Sequence, residues 1–235
     1  MHLLSRLDPS TPGPHVVLTG ASRGVGRALA LAFAAIGAEI SLLGRGSAQM
    51  TETLALLEAR KAKVRWFQCD LSDRTSTDAA LERMGSAPEV LIHNAAVIHR
   101  AEVSHMSDAS WDEQFETNVT APFRITRALL PSMLRAGSGR ILFVSSISAL
   151  VGTKRQAAYN ASKAALLGLM RCLAEEISDS GLATMALLPG SVDTRMLKGS
   201  SFSPRMTPED VAQTVLFYAL SGTAHNGAAV EMLGV

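Results

Sequence analysis

Two cysteines, two tyrosines and two tryptophans among 235 residues exclude several kinds of chemistry at the outset. Cys69 and Cys172 are too few for a disulfide framework or a zinc ligand set, and both stand among apolar neighbours, as reduced core residues do. Charge of neither sign dominates. Against 22 Lys and Arg there are 21 Asp and Glu, a net charge of +1 without any like-charged block, so nothing points to nucleic acid or an anionic membrane surface. No apolar run approaches the roughly 20 residues that cross a bilayer. The start, MHLLSRLDPSTPGP, also lacks the apolar stretch of a secretory signal, which makes a cytoplasmic protein the expectation. What is present is a composition 47% hydrophobic and 18% charged, enough for one sizeable core.

Residues 1–14, punctuated by Pro9, Pro12, Gly13 and Pro14, read as a flexible arm, and 15–235 as a single domain. HVVLTG is a first strand. Val25, Ala28, Leu29, Ala32, Phe33 and Ile36 then recur with helical spacing. EISLLG, VRWFQCD and EVLIHN are further strands, with helices over 47–61 and 73–84 between them. A helix over 107–135 follows, in which Pro122 predicts a kink or break. RILFVSS is a strand, 157–179 a long helix and ATMALLPG another strand. The helix over 207–221 is announced by Thr207 as N-cap, Pro208 at its first position and Asp210 in the capping-box position. AAVEML completes seven strands. This alternation specifies an α/β fold, a doubly wound parallel sheet with helices on both faces.

Between the first strand and helix lies TGASRGVG, whose glycines 20, 24 and 26 allow a tight turn and the close approach of backbone to a pyrophosphate at a helix N-terminus. A plain tight turn is the competing reading, which the strand-to-helix placement disfavours. No GxxxxGK[ST] is present, against a P-loop nucleotidase. The second strand ends LLGRG, so Arg45 stands where a carboxylate would bind the 2′-hydroxyl of NAD. Arg23 supplies a second guanidinium. The pair suits the 2′-phosphate of NADP(H), the alternative for each being an ordinary solvated charge.

One of the two tyrosines, Tyr159, precedes Lys163 by four residues, on one face of a helix. Alone, such a pair is most simply a snorkelling surface couple. Ser146 on the preceding strand and the upstream glycine loop turn it into a candidate site. A nearby ammonium favours phenolate, so Lys163 is expected to lower the Tyr159 pKa. Tyr218, in VLFYAL, has no polar companions and reads as core. His93, His99 and His105, six apart, match no metal-ligand spacing, and no metal is expected.

TGASRGVG at 19–26, CDLSD at 69–73, NAA at 94–96, Asn118, SS at 145–146, YNASK at 159–163 and PGSVDT at 189–194 resemble, in order and spacing, the short-chain dehydrogenase/reductase family, in particular its 3-oxoacyl-carrier-protein reductase type. The resemblance runs from about residue 15 to the C-terminus and implies a Rossmann-type fold with NADP(H) as cofactor. It places Gly20, Ser22, Arg23, Gly24, Val25, Gly26, Arg45, Asp70, Leu71, Asn94 and Ala95 in cofactor binding. Pro189, Gly190, Val192 and Thr194 wrap the nicotinamide end, and Tyr159 and Lys163 also touch the cofactor. Ser146, Tyr159, Lys163 and Asn118 are the implied catalytic set. Ser146 fixes the substrate oxygen, Tyr159 exchanges the proton, Lys163 sets the electrostatics and Asn118 holds a water behind the lysine. The chemistry implied is interconversion of a carbonyl and a secondary alcohol on a small molecule. The other class of reading is a non-catalytic NADP-binding sensor or scaffold.

Two departures from the family pattern stand out. His93-Asn94-Ala95-Ala96 replaces the usual NNAG, and the chain finishes EMLGV rather than with a VDGG-like tail. The helix from 157 carries apolar residues over most of its circumference, more than one sheet face buries, so a homodimer or homotetramer is expected.

Overall fold

A computed structural model describes residues 12–85 and 87–234. Its strands are β1 (His15–Thr19), β2 (Glu39–Gly44), β3 (Lys63–Gln68), β4 (Val90–His93), β5 (Gly139–Val144), β6 (Leu182–Pro189) and β7 (Ala229–Met232). Between them run α1 (Gly24–Ala35), α2 (Ala48–Ala59), α3 (Arg74–Glu82), α4 (Asp108–Phe115), α5 (Ala121–Ala136), α6 (Ala157–Glu176) and α7 (Pro208–Leu220). The strands form one sheet in the order β3-β2-β1-β4-β5-β6-β7, and every neighbouring pair is parallel.

Alternation along the strands divides the core in two. Val16, Leu18, Ile40, Leu42, Ile92 and Leu142 face α1 and α7, packing with Leu29, Phe33, Val211 and Val215. Val17, Leu43, Leu91, Ile141 and Phe143 face the other way, against Ile125 and Met133 of α5 and Leu166 and Met170 of α6. Strands buried on both faces are apolar at most positions, which is why they read as near-continuous runs; the polar exceptions include Ser41, His93 and Thr184. From β1 the chain winds outward through β2 and β3, then returns to place β4 on the other side of β1. The connections leaving β1 and β4 therefore diverge, opening a crevice at their C-terminal ends.

The helix ends follow their side chains. Thr207 Oγ1 accepts from Asp210 N–H and Asp210 Oδ2 accepts from Thr207 N–H, the capping box expected for α7. The anticipated interruption at Pro122 takes the form of a π turn, Glu116–Thr120, joining α4 to α5. Pro122 has no N–H for the Asn118 carbonyl four residues back, so the regular ladder cannot run through this point. Of the expected N-terminal arm, residues 1–11 lie outside the described residues. Gly13 packs against the Gly37–Ala38 backbone, and the Pro14 carbonyl accepts from Glu39 N–H at 3.1 Å.

Two expectations are corrected. The large apolar residues of α6, Leu166, Leu167, Met170 and Leu173, are buried within the chain, because α6 is covered by both the sheet and the α4–α5 layer. Its outward strip holds Ala164, Gly168, Arg171 and Cys172. Cys172 is accordingly exposed rather than a core residue, whereas Cys69 is buried.

Candidate active site

The glycine loop after β1 is held from behind by the segment after β4. Thr19 Oγ1 accepts from the N–H groups of Asn94 and Ala95, both at 3.0 Å, and Asn94 Nδ2 donates to the carbonyls of Thr19 and Gly20. This approach leaves no room for a side chain at residues 20 and 26. A Cβ at residue 26 would lie 2.0 Å from the Gly20 carbonyl oxygen, and one at residue 20, where φ is +74°, would lie 2.7 Å from Ala95 Cα. A further brace is Arg27, which donates to Thr53 Oγ1, the carbonyls of Ser22 and Gln49, and Glu52 Oε2. The N-terminus of α1, which opens behind this loop, has no side-chain cap and no acidic residue in its first turn.

A cleft of about 1430 Å³ runs from this loop across the ends of β1, β4, β5 and β6. It brings together the sequence-derived residues of the glycine loop, Arg45, Asp70, Leu71, Asn94, Ala95, Ser146, Tyr159, Lys163 and the 189–194 segment. Asn118 does not line it. Instead its Oδ1 accepts from Val97 N–H at 2.8 Å, and its Nδ2 donates to the Val97 carbonyl and to Ser162 Oγ. The side-chain amide thus fastens the wall beside Lys163 and spends both its N–H groups on protein partners. Ala96 lines the cleft, and its φ is not positive, so its extra methyl is carried without backbone strain.

At the deep end, Ser146 ends β5's extension and caps a short 3₁₀ turn, its Oγ accepting from Ser148 N–H and donating to the Pro189 carbonyl. Tyr159 and Lys163 project from the first turns of α6 and are buried. Lys163 Nζ donates to the Val144 carbonyl at 2.8 Å, and burial lowers its pKa to about 8. Burial also raises the Tyr159 pKa, opposed by the Ser146 hydroxyl and by the charge of Arg100. The expected depression by Lys163 is therefore not found in the chain alone. Desolvation of a phenolate outweighs the neighbouring charges, and Arg100 is the cation that opposes it.

The outer end of the cleft carries Arg45, whose Nη1 lies 3.8 Å from Asp70 Oδ2. Burial works against the Asp70 carboxylate, yet hydrogen bonds from Ser72 and the Arg45 charge hold its pKa below the usual value. Arg23, extended at the N-cap of α1, forms no ion pair among the described residues and also lines the cleft. The Cys69 thiol nearby is pushed up to about 11, chiefly by burial.

Two contributors had no sequence signal, Arg27 and Arg100, whose Nη2 and Nη1 donate to the carbonyls of Met196 and Lys198. Met196 contributes as well, its Sδ accepting from the Tyr159 hydroxyl at 3.9 Å. The three histidines do not converge. His93 Nε2 is 2.8 Å from Thr126 Oγ1, His99 pairs with Glu113 and His105 with Glu102. Among the described residues no group of three or more His, Cys, Asp or Glu could hold a metal ion, and no helix is long and apolar enough to cross a membrane.

The fold and cleft define a doubly wound nucleotide-binding domain with a Ser–Tyr–Lys cluster at one end. Residues 14–203 match the family model for short chain dehydrogenase, and the chain belongs to that family. It is 30% identical over 218 residues to an uncharacterized oxidoreductase of Staphylococcus haemolyticus, covering 91% of this chain and 93% of that one. It is 30% identical over 196 residues to the 3-oxoacyl-[acyl-carrier-protein] reductase of Escherichia coli, covering 82% and 79%. A solved structure with bound NADP at low occupancy, a putative NAD(P)-dependent gluconate 5-dehydrogenase from Beutenbergia cavernae, superposes with a TM-score of 0.86 at 30% identity, covering 95% of this chain and 96% of that one.

Proposed function

We propose that this chain interconverts a carbonyl and a secondary alcohol with NADP(H), Tyr159 moving the proton. The observation that carries the reading is the grouping of Ser146, Tyr159 and Lys163 in one cleft with a glycine cradle that only bare backbone fits. The uncapped N-terminus of α1 offers N–H groups for a pyrophosphate. Gly20, Gly24, Gly26 and Asn94 would shape that end, and the 189–194 segment the other. When bound, the nicotinamide supplies or accepts the hydride.

The protein's own residues then have separate tasks. Ser146 and Tyr159 receive the substrate oxygen, and Ser146 orients it. In the reducing direction Tyr159 would give its phenolic proton to the substrate oxygen as negative charge develops there. The raised pKa of Tyr159 suits it to arrive protonated as a donor. Lys163, charged below pH of about 8, stabilises the phenolate left behind. Asn118 positions Ser162 and the Val97 backbone beside this pair, a structural support for the same site.

Arg45 and Arg23 support NADP(H) over NAD(H), since no carboxylate ends β2 and both guanidinium groups face the cleft. Assembly as a homodimer or homotetramer is part of the same reading, supported by the small-residue strip of α6 and by Trp111 and Phe123, both about two-fifths exposed. A clean monomer on size-exclusion chromatography would remove it. One feature favours a non-catalytic NADP-binding protein: Met196 Sδ sits against the Tyr159 hydroxyl, where a substrate oxygen belongs. NADPH consumption measured over ketones, β-ketoesters and quinones separates the two. Turnover establishes the oxidoreductase, and tight NADPH binding without turnover of any of them favours the sensor.

A further inference from the structure

Arg100 is a half-buried cation without a counter-charge. It forms no ion pair among the described residues. Its Nη groups are met only by the neutral carbonyls of Met196 and Lys198, at 2.8 and 3.3 Å. Its Nε is buried with no hydrogen-bond partner. A guanidinium withdrawn from water in this way is costly unless something anionic completes it. Arg195 and Arg205, both exposed, also line the cleft and are likewise outside every ion pair among the described residues. The acids that line the cleft are Asp70, which faces Arg45, and Asp193.

The contacts of Arg100 also tie it to the reacting end. The residue that accepts from its Nη2 through the main chain, Met196, places its own sulfur 3.9 Å from the Tyr159 hydroxyl. A substrate reaching Tyr159 has to displace this sulfur, and doing so disturbs the acceptors of Arg100. We propose that Arg100 recognises a carboxylate on the substrate, exchanging the carbonyls of Met196 and Lys198 for it and so clearing Met196 from Tyr159. The exchange is downhill because a hydrogen bond to a charged acceptor is roughly twice as strong as one to a neutral carbonyl, and a carboxylate matches the guanidinium fork. The substrate class is then an oxo acid or the corresponding hydroxy acid. The charge of Arg100 opposes the pKa rise of Tyr159, which agrees with its standing close to the reacting oxygen. The proposal rests on the oxidoreductase reading for where the reacting carbonyl sits.

The test compares 2-oxobutanoate, acetoacetate and levulinate with their methyl esters, in wild type, Arg100→Gln and Arg100→Lys. Glutamine keeps a donor for the loop carbonyls while deleting the charge, and lysine keeps the charge. Binding to the enzyme with NADP⁺, read by calorimetry, reports recognition without turnover, and kcat/KM with NADPH reports the reaction. The expected result is that at least one acid is favoured over its ester by about 10–100-fold, the range of a charge-assisted hydrogen bond, with the preference lost in Arg100→Gln and largely kept in Arg100→Lys. Acids that bind no better than esters in the wild type, including no measurable binding of either, overturn the proposal. So does a preference that survives Arg100→Gln, or a loss equal for acid and ester in that variant, which would make Arg100 a support for the loop alone. Acid-selective binding without turnover would uphold this site while removing the oxidoreductase reading.

Discussion

Lys163 Nζ donates to the Val144 carbonyl at 2.8 Å and stands 5.7 Å from the centroid of the Tyr159 ring. The lysine is thus anchored to the end of β5, behind the phenol. A single carbonyl solvates an ammonium that is fully withdrawn from water, and the lowered pKa records the cost.

That cost is measurable. A shift from 10.5 to about 8 corresponds to roughly 3 kcal/mol against the charged form. The penalty is complete below pH of about 8, where the folded lysine is charged, and is relieved as pH rises above it. Lys163→Met is expected to raise stability by about 1–3 kcal/mol at pH 7, a gain that shrinks above pH 8, while impairing turnover. Urea denaturation at pH 7 and pH 9.5 checks both the gain and its decline.

His93 produces a slope at the acid end. Its ring is buried, stacked 4.9 Å from Phe143, and burial lowers its pKa to about 3. The folded chain keeps it neutral while the unfolded chain protonates it below about 6.5, so its stability contribution is present above that pH and is lost as pH falls toward 3. The slope is about 1.4 kcal/mol per pH unit. His93→Asn is expected to lack this component. Denaturation midpoints of the two proteins between pH 7 and pH 4 should diverge accordingly, and parallel curves would show that His93 titrates normally.

Arg45 lies 3.8 Å from Asp70 and directly follows β2. Arg45→Ala is expected to weaken NADPH by about 10–100-fold, the loss of a charge-assisted hydrogen bond, with NADH within about 3-fold of wild type. Fluorescence titration with each cofactor measures the ratio. Equal weakening would remove the 2′-phosphate role.

Lys61 follows α2 with φ of 55°, its N–H donating to the Glu58 carbonyl. This left-handed position after a helix is the one glycine fills without strain. Lys61→Gly is expected to stabilise by about 0.5–1 kcal/mol, a rise of a few degrees in Tm, visible by calorimetry.

Much of this was legible in the sequence because it is local or periodic. Apolar strand runs such as VLIH, the glycine loop, the Thr207–Asp210 box and the Tyr159–Lys163 spacing each depend on residues within one or two turns of one another. The relations that escaped are those made across the fold. Arg100 meets Lys198 from 98 positions away in the chain, and nothing near either residue announces the contact. The sense of the Tyr159 shift depends on how much water reaches the phenol, which no spacing encodes. Cys172 reads as apolar core until α6 is oriented, and its outward face is then decided by which of its neighbours are larger.

The most direct test of the central claim is Tyr159→Phe, which removes the phenolic proton and leaves the ring. With a substrate identified from the carbonyl panel, kcat with NADPH is expected to fall by about 10²–10⁴-fold, the usual contribution of a positioned acid, while the NADPH dissociation constant stays within about 2-fold. Turnover retained within about 10-fold of wild type would contradict the assignment of the proton to Tyr159.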